Sequence, residues 1–468
     1  MNTKKKICGA LAAFLAAVAL PISAMAAFSA DVMGNPDYTW QENGISYAEK
    51  SLEEGGLQKL FYGEYNANSA DAEYEWVIHS IRNGNKTTLS TVKDIAADYE
   101  QKTGKKVMLA TNGDYFLSTG ENVESYVNDG VVVSKGAFTT KHCIGFDNAG
   151  KVVVGRMTEV EKRLMVVLNG ERTFFDIDKL NEAPGENEIA IYTKAGSHTF
   201  EGAGVYVCNA TSGSLNSYPV YGSSYRLSPE TPETVNLRSG QFAVVVKGED
   251  NQFFYDNVTY GVEVDLVEIP AGEFAGCTWV LGGYDILVDD GVVNTKCHTD
   301  NSGDAKAPRT FIGFKEDGTG FLCIADGRQS GYALGISVNK EAELAKALGA
   351  QFALELDGGG SSTMLVRIDD VLTLRNKPSD GSMRRVSNAI MLVEKEKAEE
   401  QPEQPTPPAT DPATPPATTV PVTAPATEPG TPEPLPEDSK AVVLIAVGAV
   451  VVIGAGVAVA VIGKKRKK

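Results

Sequence analysis

Residues 351–364 read Gln-Phe-Ala-Leu-Glu-Leu-Asp-Gly-Gly-Gly-Ser-Ser-Thr-Met, and the organisation of the whole chain turns on them. Phe352, Leu354 and Leu356 alternate with Ala353 and Glu355, the period of a strand with one buried face, and the pattern stops at Asp357. Gly358, Gly359 and Gly360 follow, at an entropic cost beyond what a simple turn requires. Glycine permits the dihedral alternation that points successive N–H groups into one concavity, and Ser361, Ser362 and Thr363 add hydroxyls beside it. The stretch reads either as an anion or sugar-phosphate cradle at a strand end or as a polar hairpin turn. Residues elsewhere must decide between the two.

Just upstream, Glu341, Leu344 and Leu348 have helical spacing, with Asn339 as the expected cap and Gly349 as the stop. A second helix is expected over Thr91–Thr103, ahead of Gly104. The remaining signals are short apolar or alternating runs bounded by turn residues, so the middle of the chain reads as mainly β. Several of these runs end or begin in charge. Val107–Ala110 leads into Thr111-Asn112-Gly113-Asp114, and Phe321–Ile324 into Ala325-Asp326-Gly327-Arg328. Arg309 opens another run, and Arg384 and Arg385 precede the last, Val386–Val393. Residues 27–74 read as a lead-in of uncertain order, and residues 211–240, with little period, as a long excursion or small insertion.

The ends of the chain have a different character. Residues 1–26 carry Lys4, Lys5 and Lys6 before an apolar run and the small residues Ala24-Met25-Ala26, the pattern of a secretory signal peptide. Residues 396–440 are dense in Pro, Thr, Ala and Glu and cannot build a core, so they read as an extended stalk. Residues 441–463 are apolar and uncharged, long enough at about 1.5 Å per residue to cross a hydrocarbon core of about 30 Å. Residues 464–468 form a basic tail expected to face the cytoplasm. The expected arrangement is a single-pass protein of the cell membrane with residues 75–395 folded outside the cell.

With 43 basic and 61 acidic residues the formal net charge is −18, which argues against nucleic acid as a partner. Of the six cysteines, Cys8 lies in the signal segment, and the five that remain show no metal-type spacing and cannot all pair internally. No serine lies in a Gly-x-Ser-x-Gly elbow, and no two of the four histidines are one helical turn apart, which disfavours an elbow-type serine hydrolase and a helix-borne zinc pair. What recurs is a carboxylate or guanidinium at a strand end. Arginine forks match phosphate oxygens, and carboxylates serve as nucleophile, base or sugar-hydroxyl acceptor, so the set suits a phosphorylated sugar. Ion pairing of the same groups at sheet ends is the alternative.

Asp326-Gly327-Arg328-Gln329, the helix after it and Leu356–Met364 together resemble signatures of the phosphodiester glycosidase family. Pro308-Arg309-Thr310 with Gly313, and Arg385-Val386 with Asn388-Ala389, match further signatures in the same order. The resemblance extends over Val107–Val393. At Asn112–Phe116 the family usually shows Phe-Phe after the glycine, where this chain has Asp114 and Tyr115. The resemblance implies an α+β fold of mixed β-sheets with few helices, its active site on loops at strand ends. It implies an alpha-N-acetylglucosaminidase-like hydrolase that cuts a sugar-1-phosphodiester at the anomeric carbon.

On that reading Asp357 stabilises the oxocarbenium-like centre or activates water, with Asp326 and Asp114 as the other candidate carboxylates. Arg328 and Arg385 take the phosphate. Asn112, Arg309, Gly359, Gly360, Ser361, Ser362 and Thr363 complete the substrate site. The expected substrate is a sugar-phosphate glycan or wall polymer. Two alternatives stay open: a non-catalytic envelope glycan-binding module, and a metal-dependent phosphodiesterase that uses the same carboxylates to hold a divalent cation.

Overall fold

The computed structural model describes residues 28–395, apart from 30, 54, 85, 137–141, 148, 202, 216, 229–232, 249 and 298–303. The signal, stalk, apolar and basic-tail segments read from the sequence lie outside the described residues. No described helix is long and apolar enough to cross a membrane. The described residues all belong to one compact unit.

Leu354 and Leu356 enter one apolar cluster and Ala353 another, so the central strand, Phe352–Glu355, is covered on both faces and not on one. Its alternation misleads because the small Ala353 and the charged Glu355 are buried as fully as the leucines. The strand belongs to an eight-stranded sheet in the order Tyr38–Glu42, Ile45–Leu52, Gln58–Tyr65, Gly320–Ala325, Arg309–Phe314, Phe352–Glu355, Ile286–Asp289, Val292–Val293. The lead-in of uncertain order is therefore three antiparallel strands, anchored by Ile45, Tyr47, Leu60 and Phe61 in the core. Turn residues and charges between those anchors hide the strand period in the sequence.

A five-stranded sheet faces this one across the first cluster, in the order Val371–Leu374, Met364–Ile368, Val107–Asn112, Ala389–Glu394, Tyr74–His79. Three α-helices are described: α1 (Val92–Thr103), α2 (Asp250–Asn257) and α3 (Val338–Ala347). Helix α1 packs Val92, Ile95, Ala96 and Tyr99 on the outer face of the five-stranded sheet, and α3 packs Val338, Ala342, Leu344 and Ala345 on the outer face of the eight-stranded one. The centre of the molecule is thus four layers, helix, sheet, sheet, helix.

Helix α1 begins where expected, with Thr91 Oγ1 accepting from the Asp94 amide, and ends at Gly104 in the left-handed region. Helix α3 starts earlier than expected. Ser337, in extended conformation, accepts from the Lys340 amide, so Ser337 is the cap and Asn339 lies in the first turn.

Residues 160–270 build a second eight-stranded sheet, in the order Glu171–Asp176, Val160–Leu168, Glu263–Pro270, Ser217–Ser228, Gly204–Ser214, Gln241–Val246, Ile189–Tyr192, Lys179–Leu180. The expected excursion at 211–240 is mostly a long hairpin in this sheet. Register shifts at Val207/Cys208, Ala210/Ser212 and Ser212/Ser214 break its two-residue period, which is why the alternation is absent from the sequence. A smaller sheet, Val152–Gly155, Cys143–Asp147, Cys277–Gly282, Tyr126–Asn128, Val131–Ser134, lends Tyr126, Ile144, Phe146 and Leu281 to the first cluster. The fold is mostly β-sheet with few helices. Among the described residues, strand pairs are antiparallel apart from Lys179–Leu180 beside Ala190–Ile191.

Cys143, Cys208, Cys277, Cys297 and Cys323 are all free and buried. Burial pushes each thiol up, Cys143 and Cys277 to about 11. These thiols serve as small apolar core residues. Reductant should therefore leave the thermal midpoint unchanged, and a thiol reagent should react with the folded domain far more slowly than with the unfolded one; a midpoint lowered by reductant would contradict this.

Candidate active site

The two facing sheets are tied together where the central strand ends. Asn112, the last residue of Val107–Asn112, donates from Nδ2 to the Asp357 carbonyl at 2.5 Å, and its Oδ1 accepts from the Thr363 amide at 3.2 Å. The Asp357 amide returns a bond to the Gly113 carbonyl at 3.0 Å. Gly113 is required here, because a Cβ would lie 2.2 Å from Asn388 Oδ1, which accepts from the Asp114 amide at 3.0 Å. Asn112 is therefore a positioning residue, with its side chain committed to backbone.

The glycine triplet forms a tight turn over Gly359–Ser361 and not an open row of amides. Gly359 donates to the Pro308 carbonyl, Ser361 to that of Gly358, and Thr363 to Asn112. Close approach accounts for the glycines instead. A Cβ on Gly358 would sit 2.7 Å from the Pro308 carbonyl oxygen, one on Gly359 2.9 Å from Arg328 Nη1, and one on Gly360 2.2 Å from Arg384 Nη2. Gly359 also has φ of 64°, in the left-handed region. Ser362 Oγ accepts from Thr310 at 2.9 Å, and Thr363 Oγ1 donates to the Ser361 carbonyl at 2.9 Å, so both side chains hold the turn itself. Ser361 Oγ faces the other way, toward Asp357 and Arg384 Nη1.

The three candidate carboxylates lie in different environments. Asp357 is half-buried, and its pKa is raised to about 6, chiefly by burial, against the opposing effects of the Ser361 hydrogen bond and the Arg384 charge. Asp114 is fully enclosed. Its Oδ2 accepts from the Glu124 amide at 3.0 Å while Oδ1 has no partner, and burial, with the charges of Glu124 and Asp357 adding to it, pushes its pKa well above the ordinary carboxylate range. Asp326 is saturated: it accepts from Asn376 Nδ2 at 2.9 Å, the Lys377 amide at 2.8 Å and Tyr332 at 3.2 Å. Asn376 also donates to the Ser362 carbonyl and accepts from the Met364 amide, so Asp326 sets the far side of the glycine turn.

The arginines separate just as clearly. Arg309 is buried and spent, donating to the carbonyls of Ile336 and Ala305 and to Glu355 Oε1 at 3.2 Å. It braces the central strand and is not available to a phosphate. Arg328 is exposed, with its guanidinium over Gly359 and no side-chain partner among the described residues. Arg384, paired with Asp380 at 2.7 Å, sits over Gly360, while its neighbour Arg385 is exposed. The arginine adjacent to the turn is thus Arg384; the sequence shows the pair and no signal for which side chain turns inward. Sequence reasoning also missed Glu355, which accepts from Tyr115 at 3.2 Å as well as from Arg309. The tyrosine where the family has phenylalanine was the available signal. No group of three or more His, Cys, Asp or Glu that could hold a metal occurs among the described residues.

A saturated Asp326 makes a testable distinction. Asp326→Ala leaves the Asn376 amide and the Lys377 N–H without partners in the interior, and should cost roughly 2–4 kcal/mol in denaturant unfolding. A fully stable variant would contradict a positioning role.

Residues 217–393 match the phosphodiester glycosidase family, which shows the resemblance read from the motifs over that segment. The match takes in Arg309, Asp326, Arg328, Asp357, the glycine triplet and both Arg384 and Arg385, and begins after Asn112 and Asp114. No curated protein matches the chain. Among solved structures, a hypothetical protein from Synechocystis is 19% identical with TM-score 0.45, over 77% of this chain and 64% of its own, so the present chain spans less than two thirds of that protein. A putative exported protein from Burkholderia pseudomallei K96243 is 15% identical, TM-score 0.39, over 72% of this chain and 74% of its own. The zebrafish N-acetylglucosamine-1-phosphodiester alpha-N-acetylglucosaminidase catalytic domain, auto-inhibited by its pro-peptide, is 14% identical, TM-score 0.40, over 79% of this chain and 87% of its own.

Proposed function

We propose that this chain is a glycosidase that hydrolyses a sugar-1-phosphodiester at the anomeric carbon, releasing free sugar and a phosphomonoester. The observation that carries the reading is the juxtaposition at one turn of a half-buried carboxylate, Asp357, with an unpaired guanidinium, Arg328, above Gly359. A phosphomonoester is a competent leaving group, so cationic stabilisation of the departing oxygens replaces much of the general-acid work of an ordinary glycosidase. Arg328 supplies a planar fork for those oxygens, and Arg384 adds positive charge beside Ser361. Asp357, ionised, meets the positive charge that develops at the anomeric carbon. The segments outside the folded unit fit a protein tethered by its C-terminal end to the outer face of a membrane, where sugar-phosphate glycans and wall polymers are the available substrates.

Asp357 links activity and stability with opposite signs. The folded carboxyl keeps its proton up to about pH 6, whereas an unfolded aspartate loses it near 4. Between those values the folded state binds more protons, so the stability due to this group is lost as pH rises through the window. Activity, which needs the ionised form, should rise through pH 6. Asp357→Asn should therefore lower kcat by about two or more orders of magnitude, with little change in KM, while leaving the melting temperature at pH 7 equal or higher. Arg328→Lys, which loses the planar fork, should reduce kcat/KM by about tenfold or more.

Both variants are to be assayed on N-acetylglucosamine-1-phospho-6-mannose and on wall teichoic acid, with release of free sugar as the readout. Near-normal turnover in folded Asp357→Asn protein would remove that carboxylate from the chemistry. Release of sugar-1-phosphate, abolished by a chelator, would point to a metal-dependent phosphodiesterase.

A further inference from the structure

We infer that the cavity between the C-terminal end of helix α1, residues Arg82–Gly84 and the second eight-stranded sheet is a second subsite, which binds a further sugar-phosphate unit of a polymeric substrate. The inference rests on the glycosidase reading and extends it from a single linkage to a chain of them. The cavity measures about 790 Å³, ample for a sugar and its phosphate.

Position is the first argument. Ala389 pairs with Asn112 on one side and with His79 on the other, so His79 at the cavity rim lies two strands from Asn112, at the same end of the five-stranded sheet. Two strand spacings amount to about 10 Å. A polymer of several sugar-phosphate units is longer than that separation.

Chemistry is the second. Trp279 and Tyr221 present half-buried rings to the cavity, and Asn83 and Asn128 present amides, the combination that accepts a sugar ring and its hydroxyls. Arg82 adds the anion contact. Its Nη2 donates to the Tyr221 hydroxyl at 3.1 Å and its guanidinium lies 6.0 Å from the Tyr221 ring centre, yet its Nε is buried without a partner. Its Nη1 makes no hydrogen bond among the described residues, and a phosphate oxygen is the acceptor a guanidinium fits best. The other cations of the wall are already engaged, Arg172 by Asp129 and Lys102 by Asp98. Arg82 is therefore the residue with capacity to spare, in a chain whose net charge of −18 otherwise repels polyanions.

The test compares substrates of one and four linkages, synthetic N-acetylglucosamine-1-phosphate oligomers, on the full chain. Arg82→Ala and Tyr221→Ala should each raise KM for the four-linkage oligomer about tenfold while leaving kcat/KM for the single-linkage substrate within about twofold. Tyr221→Phe, which keeps the ring, should behave nearly as the parent and serves as the folded control. Equal losses on both substrates, or none on either, would overturn the subsite. Should the parent cleave neither substrate, the glycosidase reading fails by itself. The subsite is then read by calorimetric titration of the four-linkage oligomer into parent and Arg82→Ala protein, where weaker binding to the variant supports it and equal binding overturns it.

Discussion

Everything at the candidate site depends on one cross-link, the carboxamide of Asn112 held between the Asp357 carbonyl and the Thr363 amide. Two sheets that share an apolar interior have no polar bonds to fix where their strand ends stand relative to one another; dispersion and burial are not directional. Two bonds to Asp357, from Asn112 Nδ2 to its carbonyl and from its amide to the Gly113 carbonyl, supply that direction at the edge of the core, and the Asn112–Thr363 bond holds the far end of the glycine turn. The glycine turn then starts from a fixed point, and its close contacts with Pro308, Arg328 and Arg384 follow from backbone without Cβ atoms. Asp326 and Asn376 secure the opposite side of the same turn. The reactive geometry is thus made mostly by residues that touch no substrate.

The same region concentrates buried acid. Glu355 is neutralised by Arg309 and bonded to Tyr115, while Glu341 of α3, fully enclosed and without a partner for either oxygen, is pushed well above the ordinary carboxylate range by burial and then by the Glu355 charge. Holding a proton there is the low-cost solution, since an unpaired carboxylate in that layer would be strongly destabilising. Asp114 follows the same logic beside the seam. Against these, Asp357 is distinguished by partial exposure and by Ser361 and Arg384, which keep its proton affinity within reach of neutral pH. Environment, not residue type, separates the acid that can ionise from those that hold the scaffold.

Much of this was legible in the sequence, for definite reasons. Helix α1, with its capping residues, and strands such as Val107–Asn112 and Gly320–Ala325 carry local signals, so their types could be read locally. Residues 38–65 and 211–237 could not, because bulges, turns and two-sided polarity erase the period that tertiary pairing restores. At the site, strand-end carboxylates, arginines and the glycine triplet marked the right neighbourhood. Their division of labour was not legible. Arg309 and Arg328 look alike in sequence, yet one is consumed by Glu355 and two carbonyls and the other is left open. Arg384 and Arg385 are adjacent, and only the path of the loop decides which guanidinium covers Gly360. Such assignments depend on contacts between residues tens to hundreds of positions apart.

The account's central claim is that the bond broken is the one between the anomeric carbon and oxygen, with the phosphate leaving intact. Hydrolysis in water enriched in oxygen-18, followed by phosphorus NMR of the product, reads this directly. Attack at carbon leaves the phosphomonoester free of the label, the result predicted for Asp357 facing the sugar and Arg328 holding the departing phosphate. An isotope-shifted phosphorus signal, reporting labelled oxygen on the phosphate, would place the attack at phosphorus and contradict it.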